Sequence, residues 1–269
     1  RCASRSSSPS SAAPRPRKQL AGPPAQVYGL AFSDGGARLA TAGGDKQVKL
    51  WNTETWEEIR MLEGHSQRVN DVVFSPDGKQ LLTASLDNTL KLWNVATGEE
   101  VRTLKGHVNE VWAGKFNAQG DQIISCSADY DVILWNAATG DLLQRLEGHW
   151  LRVYDVAFSP DGKWAVSGAQ DKDLRKWNLS TGRTEDKLGG VGDGHEDWIS
   201  GVDVSPDGKE IVSVGADIQT IIWDAASGEP LHKLKGQEVV LSDVAYSPDG
   251  KKLAVSSWDG SIRIWDLEE

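Results

Sequence analysis

The sequence predicts an all-β fold built from six copies of one four-stranded antiparallel unit, on three observations. Trp51, Trp93, Trp135 and Trp177 stand 42 residues apart, Trp223 follows after 46, and Trp265 after 42 more. A Gly-His pair keeps the same beat at Gly64-His65, Gly106-His107, Gly148-His149 and Gly194-His195, with Gly236-Gln237 in the fifth place. The tetrapeptide Ser-Pro-Asp-Gly recurs at 75–78, 159–162, 205–208 and 247–250. Self-similarity at a period of roughly 20–50 residues marks a stacked repeat in which each unit buries its apolar face against the next.

Within one period the elements follow in order. Val69–Phe74, Gln80–Thr83, Leu90–Trp93 and Val101–Leu104 are short runs rich in β-branched and aromatic residues, which favour a pleated, half-buried surface. Ser-Pro-Asp-Gly separates the first two, because proline presets φ and glycine accepts a positive one. Ala-Thr-Gly at 96–98 and 138–140 turns the chain again before the fourth run. The repeats span residues 21–62, 63–104, 105–146, 147–188, 189–234 and 235–269.

The Gly-His opening, an Asp six residues before the Trp, and a Trp-Asn or Trp-Asp close resemble the WD-repeat β-propeller family over residues 27–269. The resemblance implies a six-bladed β-propeller of four-stranded antiparallel blades. It also implies a buried tetrad of His, Ser or Thr, Asp and Trp in each blade, locking a turn to the incoming loop. Four tetrads are complete in sequence: His65, Thr83, Asp87, Trp93; His107, Ser125, Asp129, Trp135; His149, Ser167, Asp171, Trp177; and His195, Ser213, Asp217, Trp223. The first repeat has Pro23 beside Thr41, Asp45 and Trp51, and the last has Gln237 and Val255 beside Asp259 and Trp265, so both are incomplete.

Rings of this family close by lending an N-terminal strand to the last blade. Leu20 lies 84 residues, two periods, before Leu104, so residues 15–20 occupy the register of an outer strand and are expected to close the ring. The alternative is a seven-bladed parent that has lost one blade. Residues 1–14 are expected to form a disordered tail or linker, because they hold too little apolar surface to order themselves. Their Arg, Ser and Ala content also resembles the end of an organelle transit peptide.

Composition narrows the function classes. Hydrophobic residues are 39% and charged residues 25%, the balance of a soluble globular domain. No apolar run approaches the roughly 18 residues that cross a bilayer, so no membrane partner is expected. Two cysteines, Cys2 and Cys126, make no disulfide framework and favour a reducing, cytoplasmic setting. Net charge is −10, and −15 once the five basic groups of residues 1–26 are set aside, which disfavours nucleic acid.

Candidate chemistry is sparse. Of five histidines four fill tetrad places, and the fifth, His232, sits among lysines in an outer strand. A Ser-His-Asp hydrolase reading fails because the trio recurs four times, each with a Trp. Neither cysteine has a second ligand at zinc-like spacing, so no metal and no cofactor is expected. Residues 189–194, rich in glycine, lack the helix and lysine of a phosphate loop and read as an insertion between the fourth and fifth repeats.

What remains is one face of the ring. In this family, three positions per blade point to the channel mouth: three and five residues after the His place, and the residue before the tetrad Asp. They supply Tyr28, Arg68, Asn70, Glu110, Trp112, Arg152, Tyr154, Gln170, Trp198 and Trp258, five of them aromatic in a chain of only twenty aromatics. Aromatic rings beside arginine are the composition of interaction hot spots. The sequence therefore predicts a non-catalytic scaffold or adaptor: a monomeric propeller within a larger complex, binding a protein or peptide segment on this narrow face. A sensory or regulatory module of a multidomain protein and, more remotely, a propeller enzyme are the alternatives.

Overall fold

The computed structural model describes residues 26–188 and 193–267 as a propeller of six blades. Blade one is β1 (Val27–Phe32), β2 (Arg38–Gly43), β3 (Val48–Asn52) and β4 (Glu58–Leu62); blade two is β5 (Val69–Phe74), β6 (Gln80–Ser85), β7 (Thr89–Asn94) and β8 (Glu100–Lys105). Blade three is β9 (Val111–Phe116), β10 (Gln122–Ser127), β11 (Val132–Asn136) and β12 (Leu142–Leu146); blade four is β13 (Val153–Phe158), β14 (Trp164–Ala169), β15 (Leu174–Asn178) and β16 (Arg183–Leu188). Blade five is β17 (Ile199–Val204), β18 (Glu210–Gly215), β19 (Thr220–Asp224) and β20 (Pro230–Leu234). Blade six holds β21 (Leu241–Tyr246), β22 (Lys252–Ser257) and β23 (Ile262–Asp266) among the described residues. Each sheet is a simple antiparallel meander, as consecutive runs joined by tight turns require. The expected tail, the expected closing strand 15–20 and the glycines at 189–192 lie outside the described residues.

The turns form for the reasons their residues suggest. In the Ser-Pro-Asp-Gly turn, Ser75 Oγ donates to Asp77 Oδ1 at 2.7 Å, and Gly78 adopts φ 67°. The turn before the outer strand adds a tight contact: a Cβ on Gly98 would lie 2.1 Å from Arg60 Cδ of the preceding blade, whose Nη2 donates to Ala96 O at 3.0 Å. Outer strands thus clamp neighbouring blades together.

The core is divided into clusters between blades. Ala40, Leu50 and Leu62 pack on Val69, Val72 and Trp93 between blades one and two, and equivalent clusters fill the next four junctions. Inner strands of these neighbours lie against one another in the order β1, β5, β9, β13, β17, β21. Among the described residues no helix is long and apolar enough to cross a membrane.

Candidate functional site: the narrow face of the ring

The four complete tetrads fasten the loops of this face. In blade two, His65 Nε2 is 2.7 Å from Thr83 Oγ1, His65 Nδ1 is 2.8 Å from Asp87 Oδ2, and Trp93 Nε1 donates to Thr83 Oγ1 at 2.9 Å. One proton arrangement satisfies all of these atoms: indole to hydroxyl, hydroxyl to Nε2, Nδ1 to carboxylate. The same geometry joins His107, Ser125, Asp129 and Trp135, then His149, Ser167, Asp171 and Trp177, then His195, Ser213, Asp217 and Trp223. Each aspartate also accepts the backbone N–H of the residue after the histidine, as Asp129 does from Val108 at 2.9 Å. Burial works to raise these carboxyls, but the histidine and backbone bonds outweigh it and hold Asp87, Asp129, Asp171 and Asp217 below the ordinary range. Burial also lowers the basicity of His149.

In blade one, Trp51 Nε1 still reaches Thr41 Oγ1 at 3.0 Å, while Asp45 Oδ2 is buried without a partner among the described residues. In blade six, where Val255 replaces the hydroxyl residue, the Trp265 indole N–H and the Gln237 amide nitrogen are both buried and have no partner among the described residues.

A β-bulge in every inner strand aims the residues of the mouth. In blade two Val69 pairs with Ser85 and Asp71 with Ala84, leaving Asn70 as the extra residue. Tyr28, Trp112, Tyr154, Ser200 and Ser242 are the extra residues of the other five blades. A bulge re-aims its side chain out of the sheet alternation, so one side chain per blade turns to the channel mouth.

The result is an unbroken succession of ring contacts across all six blades. The Arg68 guanidinium lies 4.3 Å from the ring centre of Tyr28 and 5.5 Å from that of Trp112. Trp112 meets Tyr154 edge-on at 5.2 Å, Tyr154 meets Trp198 at 5.6 Å, and Trp198 meets Trp258 at 6.1 Å. Asn70 fixes Arg68, accepting from its Nε at 2.9 Å, and itself donates to Val111 O of the next blade at 2.8 Å. These groups surround a cavity of about 1090 Å³ whose wall includes Gln26, Ser200, Ser242 and Arg152. Burial raises the Tyr154 phenol, which keeps it a neutral hydrogen-bonding group.

The structure therefore brings together eight of the ten residues expected at the mouth: Tyr28, Arg68, Asn70, Trp112, Arg152, Tyr154, Trp198 and Trp258. Glu110 and Gln170 are not part of the cavity wall. Glu110 stands 3.9 Å from Arg152 as a loose ion pair, and the Gln170 backbone N–H donates to Arg152 O at 2.7 Å. Trp112 is also partly core, because it packs on the apolar cluster between blades three and four.

Sequence reasoning missed a charged tier farther along the inner strands. Asp71, Asp155 and Asp243 directly follow the bulged residues of blades two, four and six, and Lys115 and Asp203 sit two residues further in blades three and five. Lys115 Nζ lies 3.0 Å from Asp71 Oδ2. The wall strips water from the lysine, but Asp71, Asp155 and Asp243 overcome this and raise its pKa. Desolvation, reinforced by neighbouring carboxylates, pushes Asp155 up to about 7 and Asp203 up to about 6, and raises Asp243. The signal was available in the sequence, as an acid six residues after the His place in blades two, four and six, and a lysine or an acid eight residues after it in blades three and five.

Blades, tetrads and mouth define a class, and comparison with known families agrees. The chain belongs to the family described as WD domain, G-beta repeat, whose model matches residues 14–52, 56–94, 98–136, 140–178, 187–224 and 228–266. No curated protein matches the chain.

Proposed function

We propose that this propeller is a non-catalytic scaffold or adaptor that binds a peptide or protein segment across its narrow face. The observation that carries the reading is the succession Tyr28, Arg68, Trp112, Tyr154, Trp198, Trp258, one residue from each blade, around a single cavity. Rings supply large apolar area with little rotamer entropy to lose, and arginine supplies a planar donor for carboxylate or phosphate. Arg68 is oriented before any partner arrives, since Asn70 and two rings hold it, and such preorganisation lowers the cost of binding. The four tetrad histidines are buried, each with Nδ1 bonded to an aspartate and Nε2 to a hydroxyl that also accepts a Trp indole N–H, which supports reading them as repeated structural locks.

The test is titration calorimetry with a peptide selected by display against the wild-type protein. Arg68→Ala and Trp258→Ala should each weaken binding at least about tenfold, a loss of about 1.4 kcal/mol, while Leu143→Ala on an outer strand leaves it unchanged. Equal affinity for all three variants would move the interface to the blade sides.

A further inference from the structure

Because the blades repeat, each surface position has its own internal controls, and one junction on the narrow face departs from the rest. The residue after the aspartate place is Lys46, Asn88, Tyr130, Lys172, Ile218 or Gly260, and all six carry positive φ. Such a turn lies beside the loop entering the next blade, at the residue after its His place. Asn88 Nδ2 donates to Val108 O at 3.5 Å, and Lys172 Nζ to Glu196 O at 2.6 Å. The corresponding pairs are Lys46 and Ser66, Asn88 and Val108, Tyr130 and Trp150, Lys172 and Glu196, and Ile218 and Glu238. Among the described residues, only the pair between blades three and four is aromatic on both banks. Both rings are exposed, Trp150 to 62%, and Val108 at the neighbouring junction is exposed to 80%.

Local folding does not call for these rings. Tyr130 holds φ 79°, a conformation that asparagine or glycine adopts more readily than a bulky side chain. Strain of this kind persists chiefly at functional positions. Both rings nevertheless stand on fixed backbone. The Tyr130 N–H donates to Ser127 O at 3.2 Å, and the Trp150 N–H donates to Asp171 Oδ2 at 3.1 Å, the oxygen that also holds His149. From Trp150 the chain steps to Arg152 and Tyr154, which both line the cavity. Arg152 in turn stands 3.9 Å from Glu110, two residues after Val108. The exposed rings therefore continue the wall of the mouth outward between blades three and four.

We propose, resting on the reading of the mouth as a binding site, that the bound segment leaves it over this junction and lays one bulky apolar side chain against Tyr130 and Trp150. The occupant is the same polypeptide segment, because one short loop carries both the rim ring Trp150 and the wall residue Arg152. Exposed rings on a rigid backbone bury large area at little ordering cost, which lets a few residues dominate an interface. An anionic lipid surface is disfavoured by the net charge of −10 and by Glu147 in the same loop.

The experiment titrates the display-selected peptide into variants of the full chain. Trp150→Ala and Tyr130→Asn should each weaken binding at least about tenfold. Tyr130→Asn gives blade three the turn residue of blade two, so its melting temperature should not fall, and a folding defect cannot then account for its lost affinity. Alanine scanning of the peptide should find one bulky apolar residue whose loss weakens binding to wild type but not to the Trp150→Ala protein, the coupling expected of groups in contact. Arg68→Ala separates this proposal from the reading on which it rests. If Arg68→Ala weakens binding while Trp150→Ala and Tyr130→Asn do not, the exit path is overturned and the mouth stands. If Arg68→Ala leaves binding unchanged, the mouth reading falls and the proposal with it. Two further results would overturn the proposal alone. Self-association in sedimentation that Trp150→Ala abolishes would assign the rings to a second copy of the chain, and binding to phosphatidylcholine vesicles that Trp150→Ala abolishes would assign them to a lipid surface.

Discussion

Lys115 Nζ stands 3.0 Å from Asp71 Oδ2 in the channel, and three further carboxylates, Asp155, Asp203 and Asp243, share the influence of that single ammonium. Formal charges of four acids against one base leave the tier short of cations, which opposes folding wherever the acids are ionised. The folded-state pKa of Asp155 is pushed up to about 7, above that of the unfolded chain. Its penalty is thus fully present above pH 7 and disappears as pH falls toward about 4. Asp155→Asn keeps an oxygen to accept the Val202 N–H, now 2.9 Å away, and removes the charge. Urea unfolding should find the variant more stable than wild type by at least about 1 kcal/mol at pH 8, with most of that advantage lost at pH 4.5. A constant difference at both pH values would contradict this assignment.

The tetrads predict a contrast between blades. Asp129 accepts from His107 and from the Val108 backbone, so Asp129→Ala should cost about 1–3 kcal/mol. Asp259 holds the same sequence place in blade six, but its carboxylate accepts from the Ser261 backbone N–H within its own turn. Asp259→Ala should leave the denaturation midpoint unchanged. Matching losses would show that the aspartate acts through its turn rather than through the tetrad.

Blade six also predicts a repair. Val255 is wholly buried, and the Trp265 indole N–H in the same apolar cluster has no acceptor among the described residues. Val255→Thr conserves volume and supplies the acceptor that Thr83 gives Trp93, with the Arg263 carbonyl on the paired strand to take the new hydroxyl's proton. Calorimetric melting should rise by the equivalent of about 0.5–1.5 kcal/mol, where a buried valine-to-threonine change ordinarily lowers it. A fall would mean that the indole is not the group that gains.

Two tryptophans of the mouth should separate stability from binding. Trp258 is 66% exposed, whereas Trp112 packs on the cluster between blades three and four. Trp258→Ala should leave the melting temperature unchanged, and Trp112→Ala should cost about 1–3 kcal/mol through lost apolar burial. Equal melting temperatures would place Trp112 outside the core.

Much of this was legible in the sequence, because repetition turns spacing into structure. His, Ser or Thr, Asp and Trp at fixed offsets could satisfy one another in only one way, and all four complete sets do so. The mouth residues were legible for the same reason, although Glu110 and Gln170 fell outside the cavity: offset along a strand does not tell how far a flexible side chain reaches. The bulges that aim Asn70 or Tyr154 were not legible, since an unpaired residue leaves no mark in composition. Nor was the exposure of Val27 and Leu30, which are as apolar as the buried Val69 and Val72.

The central claim, that a partner is held on the narrow face, is tested most directly by site-specific photocrosslinking. A benzophenone side chain placed at Trp258, and in a second protein at Leu143 on the outer strand β12, reports what touches each surface in cells. Binding at the mouth predicts a discrete crosslinked protein from Trp258 that Arg68→Ala removes, and none from Leu143. A partner captured from Leu143 and not from Trp258 would contradict the account and place the interface on the flank of the ring.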